Sequence, residues 1–243
     1  MKVLGVIPAR YASSRFPGKP LIDIDGKLMI QRVYEQAMKA AAIDQVVVAT
    51  DDDRIAAAVL QFGGSCILTG MQHQSGTDRC AEVASKLPGF DVIINIQGDE
   101  PFIDPEQINL LVSCFDLETV QLATLIKEIH TEEELFNLNI PKVVVNKRME
   151  AMYFSRQTIP FLRSSSREAW LGQHQYYKHI GIYGYKTATL SELTKIPVSA
   201  LEQAESLEQL RWIENGYTIQ TKVTSIETIA IDTPEDLLKI AKQ

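Results

Sequence analysis

The sequence is poor in cysteine. Its three, Cys66, Cys80 and Cys114, are odd in number, far apart and without a C-x-x-C pair. That argues against a disulfide framework or a thiolate zinc site and points to a reducing cytosol. Long apolar runs are also missing: none approaches the roughly 20 residues that cross a bilayer. Met1-Lys2 leads into only five apolar residues before Pro8, too few for the hydrophobic region of a secretory signal. The expectation is a soluble, cytoplasmic protein. No internal repeat or low-complexity segment is present. Excess positive charge is lacking too. A net charge of -7 removes nucleic acid and anionic membranes from the expected partners. With 45% hydrophobic and 23% charged residues over 243 positions, the chain can form one large domain or a domain plus a lobe.

Acid is absent from one stretch in particular. Between Lys2 and Asp23 there is none, while Arg10, Arg15 and Lys19 fall inside it. The stretch follows Val3-Leu4-Gly5-Val6-Ile7, which reads as a buried strand. Pro17-Gly18 marks a turn that folds Lys19 back toward the arginines. Arginine forks hydrogen bonds onto phosphate oxygens and lysine supplies a point charge, so the loop suits a polyphosphate. Ala12, Ser13 and Ser14 are small enough to let backbone N–H groups approach such a ligand. The competing reading is a solvated basic surface loop. A local positive site on an acidic protein fits a small anion better than a long polyanion.

The rest of the chain alternates. Helices are expected over 28–41, 52–62, 76–87, 105–115, 132–136 and 201–215. Apolar strands are expected over 45–49, 66–68, 91–96, 120–126, 143–145 and 220–223. The pattern predicts an α/β fold with a mostly parallel sheet and helices on both faces. From about residue 151 the pattern changes, and a polar Ser164–Ser166 run suggests a second lobe or an oligomer arm. Asp51-Asp52-Asp53 is tempting as a metal triplet but precedes a helix, where acids satisfy free N–H groups. In His73–Arg79, Ser75 or Thr77 can cap a helix while Gly76 permits close backbone approach to a ligand. Asp99 follows a strong strand and Gly98, a good place for an acid that holds Mg²⁺. In His179–Tyr185, strand geometry puts His179, Gly181, Tyr183 and Tyr185 on one polar face, fit for a polyol or else simply half-exposed. Thr233 reads as an N-cap and Pro234 as the first helical residue, which leaves Asp232 free to point at a site.

The first loop, Ile7-Pro8-Ala9-Arg10-Tyr11-Ala12-Ser13-Ser14-Arg15-Phe16-Pro17-Gly18-Lys19-Pro20-Leu21, resembles the opening loop of sugar nucleotidyltransferases, and its form is similar to the bacterial 3-deoxy-manno-octulosonate (Kdo) cytidylyltransferases. The resemblance continues in order through HQSGT, QGDEP, FSR, HIGIYGY, LEQLR and DTPED, and so covers the whole chain. It implies a single nucleotidyltransferase domain over 1–243 and a smaller sugar-binding and dimerisation lobe at about 151–215. It implies transfer of CMP from CTP to a Kdo-type sugar acid, for lipopolysaccharide biosynthesis, by a homodimer using Mg²⁺. In that reading Arg10, Arg15 and Lys19 hold the triphosphate and stabilise the leaving pyrophosphate. Ser14, Gln74, Ser75, Gly76 and Gln97 surround the nucleotide. Asp99 and Asp232 hold the metal, and Arg156, His179, Tyr183, Glu208 and Gln209 contact the sugar. The rivals are a nucleotidyltransferase for another sugar acid, such as an amino variant of Kdo, and a catalytically silent nucleotide-binding regulator on the same fold.

Overall fold

In a computed structural model of the protein, residues 1–12, 16–227, 230, 231, 233 and 235–237 are described. The core is built on β1 (Val3–Ala9), where six of seven residues are buried. A strand apolar on both faces needs cover on both, and parallel neighbours provide it. β1 runs parallel between β4 (Gln45–Thr50) and β6 (Val92–Asn95), with Gly5 opposite Val46 on one side and Ile94 on the other. The sheet of nine strands among the described residues extends past β4 to β5 (Cys66–Leu68). Past β6 it reaches β10 (Tyr177–Lys186), β7 (Leu122–Glu128) and β11 (Gln220–Val223). β10 is antiparallel to both β6 and β7, whereas β11 is parallel to β7. β8 (Lys142–Val145) and β9 (Ala151–Ser155) form an antiparallel extension from β10. A separate hairpin, β2 (Asp23–Ile24) and β3 (Lys27–Leu28), follows the first loop.

The alternation of side chains across the sheet divides the core. Val3, Ile7, Val48 and Ile94 face α1 (Met29–Ala37), α2 (Asp53–Gln61) and α4 (Pro105–Val112). Leu4, Val6, Val47 and Ile93 face α3 (Gly76–Lys86) and α7 (Thr187–Leu193). The expected α/β class with helices on both faces is therefore observed. Helix starts follow their caps. Asp52 accepts from the Arg54 N–H at 3.0 Å, and Asp104 from that of Glu106 at 2.8 Å with Pro105 next. α5 (Glu132–Phe136) begins at Thr131 and has the expected bounds. A short α6 (Trp170–Gln173) packs Trp170 against Tyr176 in a satellite cluster.

Two expectations need correction. The helix expected over 201–215 is two, α8 (Ala200–Glu205) and α9 (Gln209–Glu214). Ser206 breaks it in the left-handed conformation, φ 52°, which turns Leu207 into the core and Glu208 toward α3. The helix expected to reach Ala41 ends at Ala37, and residues 38–41 form tight turns instead. β10 also bulges between Ile180 and Tyr183. The Thr124 hydroxyl fills the bulge and donates to the Ile182 carbonyl at 2.7 Å. The two faces of β10 survive: Ile180 and Ile182 join one half of the core, Tyr183 and Tyr185 the other.

Gly184 marks where packing leaves no room for a side chain. A Cβ there would stand 2.7 Å from the Phe115 ring and 3.0 Å from Ile94 Cδ1. Gly184→Ala is expected to lower stability by about 1–3 kcal/mol, the usual cost of overpacking a filled core. Urea unfolding measures it; an unchanged midpoint would mean that Phe115 gives way freely.

Candidate active site

Parallel strands leave ligand space beyond their carboxyl ends, and there a cavity of about 250 Å³ opens. Arg10 and Lys19 wall it from the loop after β1, Gln74, Ser75 and Gly76 from the turn into α3, and Gln97 and Asp99 from the chain after β6. The structure thus gathers seven residues that the sequence had assigned to nucleotide or metal. Ser14, Arg15 and Asp232 lie outside the described residues.

The loop after β1 is pinned at its base. Gly18, with φ 72°, donates its N–H to the Tyr11 carbonyl at 3.0 Å, and the Arg54 guanidinium sits 3.3 Å above the Tyr11 ring. The turn delivers Lys19, whose Nζ donates to Asp99 Oδ2 at 2.8 Å, with side chains 13% and 27% exposed. Gly98 brings the two loops together: a Cβ there would lie 2.8 Å from the Pro8 carbonyl oxygen. Asp99 is anchored in turn, because its carbonyl accepts the Ile231 N–H at 2.9 Å.

Ser75 caps α3 and lines the cavity at once. Its hydroxyl accepts from the Asp78 N–H, and the Asp78 carboxylate accepts from the Ser75 N–H. The unpaired N–H groups of the first turn of α3 make that end favourable for anionic groups. The preceding loop is stapled by Glu82, which accepts from the Gly70 N–H at 2.9 Å and pairs with His73 and Lys86. His73 therefore has a structural partner. Sequence reading missed Arg79, a buried residue that also lines the cavity. It donates to Asp51 at 2.5 Å and to Thr69 at 2.6 Å. The aspartate triplet is thereby accounted for as an ion pair and a helix cap. The available signal was spacing, since Arg79 stands one turn into α3, on the helix whose first residue is Gly76.

A second, larger cavity of about 1030 Å³ adjoins β10, with Arg156, His179 and Gly181 in its wall. Gln97 links the two cavities by donating to the Gly181 carbonyl at 2.8 Å. Arg156 is fixed by carbonyls, its Nε donating to Glu205 at 2.7 Å and its Nη2 to Ser206 at 3.2 Å. Burial pushes the His179 pKa down to about 3, so the ring is neutral. Its Nε2 meets Thr124 Oγ1 at 3.0 Å. That hydroxyl spends its proton on the Ile182 carbonyl, so His179 is the donor and Nδ1 is left as an acceptor.

The other three residues assigned to sugar are not in that wall. Tyr183 is buried, its ring 5.2 Å from His179 and edge-on to Trp212 at 5.1 Å. Glu208 accepts from Thr77 Oγ1 at 2.8 Å, which ties α9 to the start of α3. Burial raises its pKa, against the opposing hydrogen bonds of Thr77 and Ser75. Gln209 is buried beside it. A chain of contacts thus runs from His179 at the larger cavity, through stacked Tyr183 and Tyr185, to Thr77, which Glu208 also bonds.

The chain belongs to the cytidylyltransferase family, whose pattern matches residues 4–226. It is 57% identical over 98% of its length to a 3-deoxy-manno-octulosonate cytidylyltransferase of Bacteroides thetaiotaomicron, covering 96% of that protein. To the protein of the same name from Cytophaga hutchinsonii it is 58% identical, over 99% of this chain and 96% of the relative. Among solved structures it superposes on a CMP:2-keto-3-deoxy-manno-octonic acid synthetase complexed with CTP. The TM-score is 0.92 and the identity 45%, over 100% of this chain and 98% of the other.

The Glu82 staple sets a pH dependence. Its hydrogen bonds from Lys86, Gly70 and His73 hold the carboxyl at about 2, below its ordinary 4.5. Glu82 therefore contributes stability above pH 4.5 that is lost as pH falls through 2. Glu82→Gln is expected to lose about 1 kcal/mol at pH 7. The difference from the native protein should shrink toward zero in acid. Parallel melts across that range check it, and a gap that does not narrow would mean the carboxylate charge is irrelevant.

Proposed function

We propose that this chain transfers the CMP of CTP to the anomeric hydroxyl of 3-deoxy-manno-octulosonate, releasing pyrophosphate. The observation that carries the reading is the convergence of cations, the α3 start and one carboxylate on a single cavity at the sheet's carboxyl edge. The hydroxyl oxygen forms a bond to the α-phosphorus, the bond from that phosphorus to the bridging oxygen of pyrophosphate breaks, and the hydroxyl proton passes to solvent. No protein nucleophile is needed, so positioning and charge carry the rate. Arg10, Arg15 and Lys19 bind the triphosphate and meet the charge that grows on the leaving pyrophosphate. Ser14, Gln74, Ser75, Gly76 and Gln97 orient the nucleoside.

Asp99 fits Mg²⁺, a hard cation commonly held by one or two carboxylates together with substrate phosphates. Its carboxylate stands on the cavity wall beside Lys19, and Asp232 is the second proposed ligand. Bound there, the metal would neutralise developing charge and lower the pKa of the attacking hydroxyl. Lys19 holds the Asp99 carboxylate in place.

The sugar is assigned to the polar face of β10 and the start of α9. Arg156 offers donors and His179 Nδ1 an acceptor at the larger cavity, and Glu208 is an acceptor toward Thr77. Tyr183 and Gln209 each hold a buried polar atom without a partner among the described residues, which suits the hydroxyls of a polyol. The lobe at about 151–215 is assigned to pairing two copies. Met152 and Phe161, 59% and 70% exposed, are the apolar groups a homodimer would cover. The proposed setting is the cytoplasm, and the substrate's fate is lipopolysaccharide biosynthesis.

Pyrophosphate release tests the reaction. It is expected with CTP, Mg²⁺ and 3-deoxy-manno-octulosonate together, and not with any one left out. Release from UTP and a hexose 1-phosphate alone would place the chain on another branch. Lys19→Ala and Arg15→Ala should each cost about 10²–10³-fold in turnover, the loss typical of one charge-stabilising donor. Near-normal turnover in both would return the loop to the surface.

A further inference from the structure

Arg54 stands at the start of α2, lines neither of the two cavities and has a side chain 59% exposed. An arginine so placed usually samples many rotamers, and fixing one costs side-chain entropy. This one is fixed from two sides. Its Nε donates to Asp52 Oδ1 at 3.0 Å and its Nη2 to Asp52 Oδ2 at 2.6 Å, a forked pair. Its Cζ stands 3.3 Å from the centre of the Tyr11 ring. Asp52 is seated in turn, because its N–H donates to Thr50 Oγ1 at 3.2 Å. Thr50 is the last residue of β4 and is fully buried. The guanidinium is therefore a flat platform built on the central sheet.

The ring laid on that platform belongs to the loop after β1. Tyr11 follows Arg10, and Gly18 precedes Lys19. The Gly18 N–H closes on the Tyr11 carbonyl at 3.0 Å. The two residues also touch through the ring, since a Cβ on Gly18 would lie 3.1 Å from Tyr11 Cζ. Tyr11 and Gly18 thus form a clip across the loop. The two cations just outside the clip, Arg10 and Lys19, both stand in the wall of the smaller cavity. The clip sets their spacing, and Arg54 fastens the clip to α2. Groups ordered before a ligand arrives spare the binding step the entropy of ordering them. We propose that Arg54 is a positioning residue for the nucleotide: stacked on Tyr11, it keeps Arg10 and Lys19 spaced for the triphosphate of CTP. This rests on the function proposed above. The chemistry of the pair is specific. A lysine could sit over the ring but could not fork onto Asp52. An aliphatic residue in place of Tyr11 would offer the cation no ring face.

A double-mutant cycle read by nucleotide affinity tests it. In calorimetric titrations with CTP and Mg²⁺ but no sugar, Arg54→Ala is expected to raise the CTP Kd about three- to ten-fold, the range of one cation–π contact. The CTP KM should rise with it while the sugar KM stays within about two-fold. Tyr11→Leu should match Arg54→Ala, and Tyr11→Phe, which keeps the ring, should bind CTP like the native chain. The double variant should lose no more than either single one, because each change breaks the same contact. An unchanged CTP Kd in Arg54→Ala overturns the proposal. Additive losses in the double variant also overturn it and make Arg54 a direct CTP ligand. Equal rises in both KM values overturn it too and leave Arg54 a merely structural role. A native chain that binds no CTP would instead sink the function on which the proposal rests.

Discussion

Lys19 and Asp99 are 80 residues apart in sequence and 2.8 Å apart in space. Each comes from a loop at the carboxyl end of a central strand, and each would be poorly placed without the other. An ammonium on a four-carbon stem has many rotamers, and a partly buried carboxylate needs a counter-charge. The pair resolves both problems while leaving the two groups at the cavity wall. It exists because β1 and β6 are neighbours and because Gly98 has no side chain to hold their loops apart. Replacing one partner alone removes the bond that holds the other at the cavity wall.

The remaining supports fix the surroundings of that pair. Glu82 and Asp78 hold the turn before α3, and Arg79 ties the same helix to the end of β4 through Asp51. Gln97 spans from the smaller cavity to Gly181 on β10. Glu208 reaches Thr77 across 131 residues. The walls of the two cavities are therefore joined by hydrogen bonds between rigid elements, the arrangement that keeps functional groups aligned.

Much of this was legible in the sequence because polar residues at the ends of apolar strands have few structural reasons to be there. Arg10, Lys19, Gln97 and Asp99 stand out on that ground, and strand alternation placed His179 and Tyr183 on one face correctly. The helix break did not show. Serine at position 206 takes a left-handed conformation that sequence readers expect of glycine or asparagine, so 201–215 reads as continuous. Arg79 was hidden because its partners, Asp51 and Thr69, are distant in sequence and each has an ordinary local explanation. The division of the sugar residues between a cavity wall and a buried cluster depends on that helix break, and could not be read without it.

The position of β10 has a consequence for how the chain assembles. β6 and β7 follow one another in sequence, yet in the sheet they are separated by β10, which arrives some eighty residues after β6. Until Tyr177–Lys186 has been made, β6 is an open edge and β7 has no partner strand, since its neighbours in the sheet are β10 and β11. Arrival of β10 pairs both, a non-local step that slows folding and leaves exposed strand edges in the meantime. On the ribosome the parallel half, β1 with β4, β5 and β6, can form early. Union with the β7–β11 half must wait for the last third of the chain.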